Sequence, residues 1–248
     1  MKKGNLRALM RANAEAPRAF RAEAAQGGEA TIYLYDIIGE DWWTGEGITG
    51  RRFAEALATV GDATTIHLRI NSPGGDVFEA RAITALMDAH AARFVAHVDG
   101  VAASAASFIA ARADEVEIAE GAFFMIHNAW TVAVGNKEDL LSMSAFLEKI
   151  DDSIANDYSR RGKAEKAEFQ ALMDAETWLN AEEAVEKGLA DRVAVKVDSA
   201  PSNRWDLSAY QKAPAALARS GSPSPETKNT PGSDARSRAL RLANLSPA

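Results

Sequence analysis

Twice between Thr64 and Arg112 the chain runs from a strand pattern through a turn of small residues into an apolar helix. That order leaves few folds open. In the first pass Ile66, Leu68 and Ile70 alternate with His67 and Arg69 across Thr64–Asn71. The turn Ser72-Pro-Gly-Gly75 follows, and then a helix from Asp76 to His90. In the second pass the strand is Phe94–Val98, the turn Gly100–Ala103 and the helix Ser104–Arg112. Thr31–Ile38 reads as an earlier strand, Gly50–Val60 has helical spacing, and Glu115–Ile118 and Ala122–Ile126 read as short strands. Parallel neighbours need a long crossover, usually a helix, so this alternation predicts an α/β domain with mainly parallel strands.

Two further helices carry their own start and stop signals. For Lys137–Arg161, Asn136 is the cap, Asp139 stands three residues on, and Gly162 ends it. Leu140, Met143, Leu147, Ile150, Ile154 and Tyr158 form one apolar stripe along it, which predicts packing along another subunit or across the domain. For Ala181–Lys187, Asn180 and Glu183 give a capping-box-like start and Gly188 the C-cap.

Charge divides the chain into three regions. Residues 1–28 and 199–248 each carry a net of about four positive charges, although the whole chain stands at −7, so the middle is strongly acidic. Six of the eight prolines lie beyond residue 200, among many Ser, Ala and Gly residues. Such a segment buries too little apolar surface to offset chain entropy. The expected organisation is a basic arm at 1–28, flexible or partly helical, a single domain at 29–198, and a largely disordered tail at 199–248 with a short helix at Ser237–Asn244. The arm's composition is compatible with a transit peptide but lacks the apolar core of a secretory signal. The apolar run Phe94–Ala111 is broken by His97 and Asp99, so no membrane span is expected. The basic ends read as solvated arms, and no nucleic acid is expected at the core.

With no cysteine in the chain, disulfides, thiolate metal sites and cysteine nucleophiles are excluded. The histidines and carboxylates show no ligand spacing, so neither a metal nor another cofactor is expected. A serine hydroxyl becomes a nucleophile when a base takes its proton and donors hold the resulting oxyanion. Ser104 opens a helix, where free N–H groups surround its oxygen, and the Ala105 N–H is a candidate oxyanion donor. Gly75, in a turn without side chains, is the candidate second donor. The bland alternatives are an ordinary N-cap and an ordinary strand-to-helix turn. A phosphate cradle is weaker, lacking the P-loop lysine and a full Gly-x-Gly-x-x-Gly. His67, His90 and His97 read as structural. His127, at the end of the apolar run Phe123–Ile126, is the preferred general base. Asp174 and Glu176 are both candidates to orient its ring.

These residues resemble the ClpP family of self-compartmentalising serine peptidases. The resemblance covers residues 30–195. It rests on Ile70-Asn-Ser-Pro-Gly-Gly75, Gly100-Val-Ala-Ala-Ser-Ala105, Met125-Ile-His127, Trp178-Leu-Asn-Ala-Glu-Glu-Ala184 and Gly188-Leu-Ala-Asp191. It implies a ClpP/crotonase-like fold of stacked β-β-α turns with a long protruding interface helix, here 137–161. It also implies Ser104 as nucleophile, His127 as base, and Gly75 and Ala105 as oxyanion donors. The family's acid stands two residues before the aromatic of the fourth motif, which is Glu176 here in place of the usual aspartate, with Asp174 as the alternative. A homo-oligomeric ring, heptameric and single or stacked, is implied as well.

Asn128-Ala129 after the histidine, the shortened segment 130–136, the basic arm and the tail depart from the housekeeping enzyme. They are more similar to the ClpP-like head maturation proteases of tailed bacteriophages. That likeness implies cleavage of capsid and scaffold proteins inside a procapsid in the host cytoplasm. Other readings are a cellular ClpP subunit partnered with an ATP-driven unfoldase, a crotonase-like acyl-CoA enzyme, and a non-catalytic ring or scaffold subunit. A serine–lysine dyad is disfavoured, since no lysine occurs between Lys3 and Lys137.

Overall fold

The computed structural model describes residues 6–41, 44–194, 205–215 and 217. Its strands are β1 Ala19–Ala24, β2 Glu29–Tyr35, β3 Thr65–Ser72, β4 Arg93–Ala103, β5 Glu115–Ile118, β6 Phe123–Ile126, β7 Thr177–Leu179 and β8 Arg192–Val193. The helices are α1 Leu6–Ala12, α2 Gly50–Val60, α3 Val77–Ala89, α4 Ala105–Arg112, α5 Lys137–Arg161, α6 Lys166–Asp174 and α7 Ala181–Glu186. Strands β1-β2-β3-β4-β5-β8 lie side by side in that order. All neighbours are parallel except β1 against β2 and β7 against β6. This is the mixed α/β architecture expected of the ClpP-like fold.

Local chemistry explains where the helices begin. The Asp76 carboxylate accepts from the N–H groups of Phe78 and Glu79 and caps α3. Asn136 with Asp139, and Asn180 with Glu183, form complete capping boxes on α5 and α7. The alternation in β3 puts Ile66, Leu68 and Ile70 in the core, where they are fully buried. Its other face is polar and half-buried. There His67 Nδ1 lies 2.9 Å from His97 Nε2, and Asp99 accepts from the Tyr35 hydroxyl at 2.6 Å and from Arg69 Nε at 2.8 Å.

Strand β4 does not end where the glycine suggests. Gly100–Ala103 is strand, not turn. Its first half, Val95–Val98, pairs with β5, and Val101–Ala103 pairs with β6. A register shift between Ile70 and Ser72 lets β3 follow the change. Gly100 is needed there because a Cβ would stand 2.8 Å from Asn71 Oδ1, and that oxygen accepts the Val101 N–H. The turn shrinks to Ser104.

The ordered structure reaches past both limits expected for the domain. In the segment expected as a basic arm, β1 adds a strand to the sheet edge, and Leu9 and Met10 of α1 are buried. In the segment expected as a tail, Trp205 and Leu207 are buried with Met10, Ile37, Val101, Ala103 and Met125. Proline and serine content masked these aromatic and apolar anchors. The helix expected at Ser237–Asn244 lies outside the described residues.

Arg18 fastens the arm. Its guanidinium reaches Asp36 at 3.2 Å and Asp41 at 2.6 Å, and all three side chains are nearly inaccessible to water. Burial pushes the Asp36 carboxyl up to about 6, with Arg18 among the groups opposing the rise. A folded-state value above the unfolded one means that ionised Asp36 costs stability. The cost develops as pH rises from about 4 to 6 and is level above. Arg18→Ala leaves that charge buried and uncompensated, at an expected loss on the order of 3–5 kcal/mol near neutral pH. The loss should be smaller at pH 4, where Asp36 is protonated. Urea unfolding of both chains at the two pH values measures the difference.

Candidate active site

Strand pairing builds the centre of the site. Ala103 of β4 stands beside Met125 of β6 in parallel register, and the Ser104 N–H donates to the Met125 carbonyl at 2.8 Å. The residues that follow the two strand ends are therefore neighbours. Ser104 Oγ lies 2.7 Å from His127 Nε2. Ser104 adopts φ 52° and ψ −121°, a left-handed conformation costly for any residue with a Cβ. Its hydroxyl makes no capping bond to α4. The ordinary N-cap alternative thus fails, because the side chain faces the histidine instead of the helix.

The turn before α3 lies against this elbow. Gly75 forms a parallel bridge with Ile38, in which Ile38 N–H donates to Gly74 O and Asp76 N–H to Ile38 O. The Gly75 N–H takes no part in that bridge. A Cβ on Gly75 would fall 1.9 Å from Ile38 O, and one on Gly74 would fall 2.4 Å from Ala103 O. The bare backbone is what lets the turn close against Ser104. The Ala105 N–H precedes the first intrahelical bonds, made by Ser107 and Phe108 to Ser104 O, so no bond within the helix engages it. Ser107 anchors the start of α4 to α5 through a 2.8 Å bond to the buried Tyr158 hydroxyl.

Burial pulls the His127 imidazole down to about 4, and the charge of Glu176 opposes this in part. The ring is therefore neutral near pH 7 and able to accept a proton. The antiparallel pairing of Ile126 with Thr177, continued by one residue, places Glu176 opposite His127. Glu176 also has a positive φ of 48°. Its carboxylate, however, is held elsewhere: the N–H groups of Gln211 and Lys212 donate to its two oxygens at 3.1 and 2.6 Å. Asp174 accepts from the Asn128 amide at 2.7 Å. Among the described residues neither carboxylate is hydrogen-bonded to His127.

Two spaces open beside Ser104 and His127. One, of about 550 Å³, is walled by Phe78, Phe108, Val132, Met143, Leu147 and Ile150 among others and is mostly apolar. The other, of about 250 Å³, lies toward Asp174, Glu176 and Ala209–Lys212. The described residues contain no group of three or more His, Asp or Glu side chains arranged to hold a metal ion, and no helix long and apolar enough to cross a membrane.

The profile of the Clp protease family matches residues 53–197, more than half of the chain. The chain belongs to the Clp protease family. A protein of Chlorella vulgaris described as an ATP-dependent Clp protease proteolytic subunit is 32% identical to it over 132 residues. That alignment takes in 52% of this chain and 66% of the algal protein, just under two thirds of the relative's length. The Clp protease match begins inside α2, so α1, β1, β2 and the segment from Trp205 onward lie outside it.

The structure thus brings Ser104, His127, Gly75 and Ala105 together, with Glu176 nearer in register than Asp174. Sequence reasoning missed Tyr210, whose ring lies edge-on to His127 at 5.5 Å and to Trp178 at 5.7 Å. Its signal was an aromatic pair, Trp205 and Tyr210, in a stretch otherwise poor in large apolar residues.

Proposed function

We propose that this chain is a serine endopeptidase working through an acyl-enzyme. The observation that carries the reading is the 2.7 Å contact between the Ser104 hydroxyl and His127, made by a serine held in a strained elbow and excused from capping. In this mechanism the Ser104 proton passes to His127 Nε2 as Oγ attacks the scissile carbonyl. The N–H groups of Gly75 and Ala105 receive the oxyanion. His127 then returns the proton to the leaving amine, and water reverses the sequence to release the acid. Glu176 stabilises the imidazolium and fixes the ring. The 550 Å³ apolar space supports an apolar substrate side chain next to the cleaved bond.

Oligomerisation is supported by the distal part of α5. Leu140, Leu141 and Phe146 are exposed there, and Phe146 stacks on the exposed Phe78 at 6.3 Å between ring centres. Apolar side chains gathered in this way mark an interaction surface, and we assign them to contacts between copies in a ring or between rings.

Processing of capsid and scaffold proteins is supported by the parts of the chain foreign to the family match, α1 with β1 and the segment beyond Trp205. A cellular subunit beside an unfoldase is supported by the likeness to the algal protein. Co-expression with a capsid and scaffold operon separates the two and tests the acid in one experiment. Processed products are expected with the unaltered chain. Glu176→Ala is expected to lose more processing than Asp174→Ala, because strand register places Glu176 opposite His127. The reverse ranking moves the acid to Asp174. Unprocessed products, with generic substrate degraded only beside an unfoldase, favour the cellular role.

A further inference from the structure

The segment Trp205–Lys212 has an anchor and a clasp, and the two parts touch different things. The anchor is structural. Trp205 and Leu207 are buried beneath the ends of β4 and β6, and the Trp205 indole donates to Asn71 O at 2.9 Å. Asn13 and Asp206 exchange two hydrogen bonds, from Asn13 Nδ2 to Asp206 O at 3.0 Å and from Asp206 N–H to Asn13 Oδ1 at 2.7 Å. The clasp, Tyr210–Lys212, lies against the site itself. The Tyr210 hydroxyl donates to Pro73 O in the glycine turn, its ring covers one edge of His127, and the Ser104 side chain is a further polar neighbour. The two backbone amides after it take both oxygens of Glu176, and Lys212 Nζ donates to Ala175 O.

We propose that Trp205–Lys212 is an autoinhibitory strap, whose clasp holds Glu176 away from His127 and closes one side of the substrate cleft. This rests on the assignment of Ser104, His127 and Glu176 as a triad. Two charge-stabilised hydrogen bonds from backbone amides are a strong restraint on a carboxylate, and a carboxylate so engaged is not free to orient an imidazole. The strap also reduces its side of the cleft to the 250 Å³ space that Ala209–Lys212 help to wall. An extended substrate passing Ser104 on that side meets Tyr210 first. Between anchor and clasp, Ser208 is exposed, as are Gln211 and Lys212 within the clasp. Ala213 and Leu217 pack on the same buried cluster as Trp205 and Leu207, so residues 208–212 form a loop held at both ends, and its outward movement gives the site a closed and an open state.

The test compares the rate at which a fluorophosphonate probe labels three chains: the full chain, a chain ending at residue 204, and the full chain carrying Tyr210→Ala with Lys212→Pro. The double variant removes the ring and one of the two amide donors but keeps the Trp205 and Leu207 anchor, so it reports even if the shortened chain fails to fold. A strap closed in most molecules predicts labelling at least about tenfold faster once the clasp is gone. Labelling that is unchanged or slower in the double variant overturns the strap and makes the segment a supporting wall of the site. Ser104→Ala in the full chain is the control on the underlying assignment. Labelling that survives this substitution means the triad reading has failed, whereas labelling lost there but unaltered in the clasp variant sinks the strap alone.

Discussion

Replacing Ser104 with alanine is expected to lower peptide turnover by a factor on the order of 10⁴ or more, leaving the circular dichroism spectrum unchanged. The hydroxyl makes its contact with His127 and does not cap α4, so its loss removes chemistry without unpinning the helix. The backbone at this position offers a second readout. At φ 52° and ψ −121° Ser104 carries strain of about 1–3 kcal/mol that alanine retains and glycine relieves. Ser104→Gly should therefore be as inactive as Ser104→Ala but melt at a higher temperature, the glycine's extra chain entropy of about 1 kcal/mol being the smaller term. A Ser104→Ala chain that still cleaves peptides, or an alanine variant that melts above the glycine one, would falsify the strained-nucleophile account.

Gly75→Ala should be the next most damaging substitution, lowering kcat by about 10²–10³ with the fold retained. Its Cβ would sit 1.9 Å from the Ile38 carbonyl oxygen, a distance no side-chain adjustment relieves because both groups are backbone. The bridge to Ile38 must open, and the Gly75 N–H then leaves the place where an oxyanion would form. Gly61→Ala is the control. Gly61 also has positive φ, but nothing stands within 4 Å of its Cβ position, so that variant pays backbone strain and should keep its kcat. Steady-state kinetics on one peptide separates the two, and equal loss at both positions would mean that general destabilisation, not donor geometry, explains the effect.

Much of the fold was legible because its signals are local. Helix starts could be found from Asp76, Asn136 and Asn180, whose side chains satisfy amides two or three residues away. Alternation in β3 distinguished its buried from its polar face without knowledge of any neighbour. Helix α6 went unnoticed although Phe169 and Met173 stand four apart and are both buried. Its nine residues start without a capping side-chain bond from Glu165, so only that pair marks them. Gly100 misled for a physical reason: a glycine usually marks a turn, but here it makes room for the Asn71 side chain alongside a continuing strand. Residues 205–215 misled because average composition hides single anchors, and Trp205 and Leu207 are buried in the core.

The residue types of the site belong to the sequence alone: a serine opening a helix, a glycine pair that only a bare backbone could replace, and a histidine at the end of an apolar strand. Their meeting belongs to the tertiary structure. β4 leaves β5 for β6 midway along its length, which sets Ser104 beside His127 across 23 residues of chain. The register of β7 on β6 then chooses Glu176 over Asp174 as the residue opposite that histidine. Strand pairing is non-local, so no pattern within either strand specifies it. The state of the Glu176 carboxylate is less legible still, since the groups that bind it are backbone amides, which every non-proline residue carries alike. Only the path of the folded chain decides which amides reach it.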